Sequence, residues 1–101
     1  MRRIVVRYKP KPEQVDENKR LIEAVFQDLR AKSPDGLRYT VLQLADGTFI
    51  HFSETEDGAT RLPELEVFQR FQSGIKERCL EPPQSSDVTV VGNYRMLGQG
   101  Q

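Results

Sequence analysis

Hydrophobic and polar positions along the chain alternate or recur in six blocks. Arg3-Ile4-Val5-Val6-Arg7-Tyr8 is β-branched and aromatic, with Ile4, Val6 and Tyr8 on one side and Arg3, Val5 and Arg7 on the other, and it predicts a first strand. Pro10 and Pro12 stop that strand. Pro12 suits the first position of a helix, where its missing N–H would have no intrahelical partner anyway. Val15, Ile22, Val25, Phe26 and Leu29 then recur at helical spacing. Acidic Glu13, Asp16 and Glu17 lie near the start of this helix and Arg30 and Lys32 near its end, as the helix dipole favours. Ser33-Pro34-Asp35-Gly36 ends it and turns the chain.

Leu37–Glu54 reads as two strands folded back at Asp46-Gly47, a dipeptide suited to a two-residue type I′ turn. Such a turn pairs Ala45 with Thr48, Leu44 with Phe49, Leu42 with His51, Thr40 with Ser53 and Arg38 with Thr55. Arg38, Thr40, Leu42, Leu44, Phe49, His51 and Ser53 then share one side, and Leu37, Tyr39, Val41, Gln43, Ile50, Phe52 and Glu54 the other. Both sides are largely apolar, so both need cover.

Glu54–Arg61 is polar, contains Asp57-Gly58 and predicts a surface loop. Pro63 opens a second helix, whose stripe of Leu65, Phe68, Phe71, Ile75 and Cys79 recurs at spacings of three and four. Gly74 interrupts it at a cost of roughly 1 kcal/mol relative to alanine, which suggests close packing against a neighbour. Pro82-Pro83 ends this helix, Asp87–Met96 reads as a last strand, and Gly98–Gln101 reads as a frayed tail. The order strand, helix, strand, strand, helix, strand is the split β-α-β arrangement: a single α+β, ferredoxin-like domain over residues 1–97, with an antiparallel sheet and both helices on one face. The other sheet face must then meet something, and a second copy of the chain is the economical partner, giving a homodimer through sheet faces.

Composition narrows the classes. Fifteen Lys and Arg balance 15 Asp and Glu, so no net field draws the chain to nucleic acid or an anionic membrane. The apolar run Ile4-Val5-Val6 is far too short for a signal-peptide core or a membrane span, and a cytoplasmic protein is expected. One cysteine and one histidine, far apart, make neither a disulfide nor a metal cluster.

His51 is the one imidazole and the natural candidate for acid or base work. The predicted hairpin gives it Arg38, Thr40 and Ser53 as polar company, and Arg7 can join from the first strand, so that an arginine holds an anionic substrate while the histidine moves a proton. The bland alternative is that His51 hydrogen-bonds across a dimer interface. Its predicted neighbours Leu42 and Phe49 make a partly apolar setting, which disfavours the charged ring and lowers its pKa unless Glu54 or Glu56 reaches it. Cys79 reads as a buried, inert thiol; Tyr8, Tyr39 and Tyr94 could each donate to a ligand oxygen, but strand-end tyrosines usually pack with the hydroxyl in water.

On its element order and length, on Asp46-Gly47-Thr48-Phe49-Ile50-His51-Phe52, and on Leu65-Glu66-Val67-Phe68-Gln69-Arg70-Phe71 leading to Arg78-Cys79-Leu80-Glu81-Pro82-Pro83, the chain resembles the dimeric α+β barrel superfamily. That group includes the antibiotic-biosynthesis monooxygenases, and the resemblance is greatest to its uncharacterised members. It implies two sheets closing into a barrel between subunits and a pocket in each. It does not extend to haem degradation, because the chain has no tryptophan, carries Arg7 on its first strand and has no histidine on its second helix. The expected function is therefore binding or oxidation of a small organic molecule, monooxygenase-like and without a bound cofactor. The alternative is a non-catalytic homodimeric structural or protein-interaction module.

Overall fold

In order, the chain forms β1 (Arg2–Pro10), one 3₁₀ turn at Pro12–Gln14, α1 (Val15–Lys32), β2 (Leu37–Gln43), β3 (Phe49–Thr55), a second 3₁₀ turn at Leu62–Glu64, α2 (Glu66–Gln72), α3 (Ile75–Arg78) and β4 (Cys79–Asp87). The computed structural model describes residues 1–97, so the expected frayed tail at 98–101 lies outside the described residues. The strands form one antiparallel sheet in the order β2-β3-β1-β4, the α+β, ferredoxin-like arrangement read from the element order. Tyr8 and Phe49 from the sheet, Ile22 and Val25 from α1, and Val67, Phe68 and Phe71 from α2 bury one another in a single core, which puts these two helices on one sheet face. The helical stripes thus do what their spacing demands, burying apolar surface at about 25 cal/mol per Å².

The hairpin departs from the predicted register by one residue. Leu44 N–H donates to Thr48 O (2.7 Å) and Gly47 N–H to Leu44 O (3.0 Å), closing a three-residue loop, Ala45-Asp46-Gly47. Gly47 alone in that loop has positive φ, +91°, whereas a type I′ turn would need it at Asp46 as well. Asp46 instead stays in a right-handed turn and accepts the Thr48 N–H on its carboxylate at 2.9 Å. The pairs are therefore Gln43 with Phe49, Val41 with His51, Tyr39 with Ser53 and Arg38 with Glu54. A slip of one residue carries every side chain of β2 to the other face.

The second half also differs from the sequence expectation. The helix breaks at Ser73-Gly74, and Gly74 adopts φ +74°. The nearest atom a Cβ there would meet is Arg78 Nη1 at 4.0 Å, so the glycine answers a left-handed backbone rather than close packing. Arg78 reaches back across the break, donating from Nη1 to Ser73 O (2.9 Å) and from Nη2 to Phe71 O (2.7 Å), and so caps the carbonyl end of α2. Cys79 is buried as expected, but it is the first residue of β4 and not the last of a helix.

Pro82-Pro83, read as a terminator, lies within β4. The strand is at the sheet edge, where prolines need donate nothing outward, and its pairing with β1 slips between Arg7–Gln84 and Lys9–Glu81. Of Asp87–Met96, expected to be the last strand, only Asp87 belongs to β4, and the chain over 88–97 is irregular. β4 runs antiparallel toward the start of β1, and after Val88 N–H donates to Arg3 O the partner strand is exhausted. β-branched residues without a partner to pair with do not make a strand.

Candidate functional site

Alternation along β1 and β3 turns Val6, Tyr8, Phe49 and His51 toward the helices, and the true hairpin register adds Tyr39 to them. A cavity of about 690 Å³ lies between this sheet face, α2, α3 and the loop before α2. Its inner wall is Val6, Tyr8, Tyr39, His51, Phe68 and Phe71, and the exposed charged side chains of Arg2, Glu56, Asp57, Arg61 and Lys76 stand at its rim.

His51 is 5% exposed. Both ring nitrogens are taken: Nε2 lies 2.7 Å from the Tyr8 hydroxyl and Nδ1 2.5 Å from the Tyr39 hydroxyl. Asn18, on α1 and fully buried, donates its amide Nδ2–H to the Tyr8 hydroxyl at 2.8 Å. Aromatic packing fixes these rings. Tyr8 stacks on Phe49, Tyr39 stacks on Phe26, and Phe71 packs at 5.2 Å from the imidazole. Burial pushes the His51 pKa down to about 4, since the surroundings solvate an imidazolium poorly. Desolvation likewise raises both tyrosines well above the usual phenol value, opposed at Tyr8 by the Asn18 hydrogen bond and by the Arg78 charge. At neutral pH the chain Asn18–Tyr8–His51–Tyr39 is thus an uncharged hydrogen-bonded line running from α1 to the cavity.

Of the residues that the sequence put beside His51, the structure keeps one. Ser53 lies on the same face and lines the cavity. Arg38 and Thr40 lie on the opposite face, because the hairpin loop has three residues where a type I′ turn would have two, so that Leu44 and not Ala45 lies opposite Thr48. Arg7 is paired with Ile50 and also points away. On that outer face, buried Glu54 accepts from Arg3 at 2.6 Å and lies 3.5 Å from Arg38, so neither it nor those arginines reach the imidazole. His51 faces the helices, which also removes the alternative of a bond across a sheet-face interface.

Sequence reading missed Asn18, and it set Tyr8 and Tyr39 aside as tyrosines with their hydroxyls in water. Tyr8 shares a face with Ile4 and Val6 and could have been read as inward. Asn18 sits one helical turn before Ile22, on the apolar stripe, where a polar residue signals a buried hydrogen bond. Tyr39 carried no such signal once the register was displaced. Among the described residues, no three of His, Cys, Asp and Glu gather as a metal site, and no helix is long and apolar enough to cross a membrane.

A half-open α+β sandwich with an apolar pocket between sheet and helices defines the class. The sequence matches no protein-family model and no curated protein. Solved structures match it in fold. An antibiotic biosynthesis monooxygenase is similar with a TM-score of 0.71 and 18% identity, over 91% of this chain and 100% of that one. Rv0793 of Mycobacterium tuberculosis has a TM-score of 0.70 and 20% identity, over 91% and 96%. NE2512, a Nitrosomonas europaea protein of unknown function, has 0.69 and 19%, over 96% and 95%. The chain has the ferredoxin-like fold of the antibiotic-biosynthesis-monooxygenase group, as the residues quoted above led one to expect.

Proposed function

We propose that the chain binds a small organic molecule in the His51 cavity and assists its oxidation by dioxygen through a hydrogen bond to the molecule's oxygen, monooxygenase-like and without a bound cofactor. The observation that carries this reading is a neutral, buried imidazole held between two tyrosine hydroxyls at the inner end of an apolar cavity of about 690 Å³. With a pKa near 4 the ring is too weak a base to store a proton at neutral pH. Its part is instead to hold the Tyr39 hydroxyl in place, so that this residue of the cavity wall can hydrogen-bond an oxygen of the bound molecule. Dioxygen is the oxidant for an electron-rich enol or phenol, whose proton leaves to water at the cavity mouth while the Tyr39 hydroxyl holds the oxygen over which the charge spreads. Two monooxygenase-like structural neighbours support the reading by fold.

The test is a melting-temperature screen against phenols and naphthols, followed by oxygen uptake with those that bind. At least one compound should raise Tm, and its oxygen uptake should fall tenfold or more in Tyr39→Phe. A panel in which nothing raises Tm favours the non-catalytic alternative, a fold that serves assembly only.

The same reading has two copies meeting through the outer sheet face in the cytoplasm. Leu42 and Leu80, 55% and 57% exposed, flank half-buried Val5, Ile50 and Phe52 there. Solution mass should be twice that of the chain at micromolar concentration, and Leu42→Glu should halve it. A monomer in the unmutated protein overturns the assembly but leaves the cavity reading standing.

A further inference from the structure

The hydrogen-bonded line has a direction. Asn18 donates its amide N–H to the Tyr8 oxygen, so the Tyr8 proton must go elsewhere, and the one other partner of that hydroxyl is His51 Nε2. Nε2 therefore accepts. A neutral imidazole carries a single N–H, which then sits on Nδ1 and donates to the Tyr39 oxygen. Tyr39 is left with its own proton and, among the described residues, with no acceptor for it, on a residue that lines the cavity. Turning the Asn18 amide over would reverse every bond in the line. It would leave both amide hydrogens unpartnered, where the present orientation leaves the oxygen and one hydrogen, so the ring proton of His51 is the observable that tells the two apart.

We propose that Tyr39 is the cavity's hydrogen-bond donor to an uncharged carbonyl-type oxygen of the ligand, and that Asn18 is the positioning residue that sets this polarity from α1. This rests on the reading of the cavity as a binding site. The class of ligand follows from the surroundings. The inner wall sets Tyr39 amid Val6, Phe68 and Phe71, with Ser53 as a further hydroxyl on this sheet face, and the cationic side chains stand at the exposed rim. A carboxylate or phosphate pushed to the inner end would lose its hydration with no charge to replace it, whereas a ketone or similar oxygen needs only the one donor. Burial keeps Tyr39 protonated throughout the neutral range, so the donor is always present.

Two measurements test it, one without any ligand. ¹⁵N NMR of His51 should show the ring proton on Nδ1, and Asn18→Asp, whose carboxylate can only accept, should move it to Nε2. Binding is then compared for fluorenone and fluorene, which share a flat apolar body and differ by one carbonyl. The wild type should prefer fluorenone by about tenfold, the size of one neutral hydrogen bond, with the bound carbonyl stretch moved to lower wavenumber. Tyr39→Phe should abolish both the preference and the shift, with fluorene binding unchanged. Asn18→Asp should abolish them too, although that residue does not touch the cavity. A ring proton on Nε2 in the wild type overturns the proposal, as does a preference that survives Tyr39→Phe. Equal binding of the two probes overturns it alone, whereas failure of both to bind overturns the binding reading as well.

Discussion

Lowering the pH from 7 to 4 should remove roughly 3 kcal/mol of folding free energy through His51 alone. The native ring titrates at about 4 and the unfolded one at 6.5, and each unit of difference is about 1.4 kcal/mol. Because the folded value is the lower, the unfolded chain binds the extra proton first. The contribution is complete above pH 6.5, is lost as the pH falls between the two values, and levels off below about 4. No carboxylate interrupts this, since Glu54 is engaged with Arg3 and Arg38 on the other side of the sheet. Urea unfolding at half-unit pH steps measures it, with His51→Gln as reference to subtract the acidic residues. Parallel wild-type and variant curves would sink the prediction, and so would an NMR titration that placed the native imidazole at or above 6.5.

Truncating Tyr8 should have an effect of similar size by a different route. The ring is 1% exposed and packs on Phe49, His51 and Phe71, so Tyr8→Ala removes a large core side chain and should cost about 4 kcal/mol. Tyr8→Phe keeps the ring but strands the Asn18 amide and His51 Nε2, each buried, and should cost about 2 kcal/mol. The difference between the two variants separates packing from hydrogen bonding. A neutral Tyr8→Phe in urea unfolding would mean that water takes the place of the hydroxyl.

The architecture was legible because it depends on features that survive small errors. The stripe from Val15 to Leu29 and the alternation of Ile4, Val6 and Tyr8 identify their elements whichever residue begins or ends them. The site depended on finer points. Asp46-Gly47 serves a two-residue turn and a three-residue loop equally well, and which one forms is decided by whether Asp46 adopts a left-handed backbone. That choice moved Arg38 and Thr40 out of the site and Tyr39 into it. At the other end, Pro82-Pro83 carried a rule for helices and sheet interiors into an edge strand, where it does not bind. His51 was found because its residue type is rare. Asn18 was not, because its role appears only when α1 is laid against Tyr8.

The loop Ala45-Asp46-Gly47 is exposed or nearly so, touches neither the cavity nor the core, and would ordinarily be a place where length drifts without consequence. Here its length is part of the site's chemistry. Closing the strands instead on a two-residue Asp46-Gly47 turn, with Ala45 drawn into β2 opposite Thr48, would shift β2 by one residue, sending Tyr39 to the outer face and bringing Arg38 and Thr40 beside His51. An aromatic donor would be exchanged for a cation without a single substitution. Across descendants of this chain, the span of that loop rather than the identity of any pocket residue would then mark where one ligand charge class gives way to another.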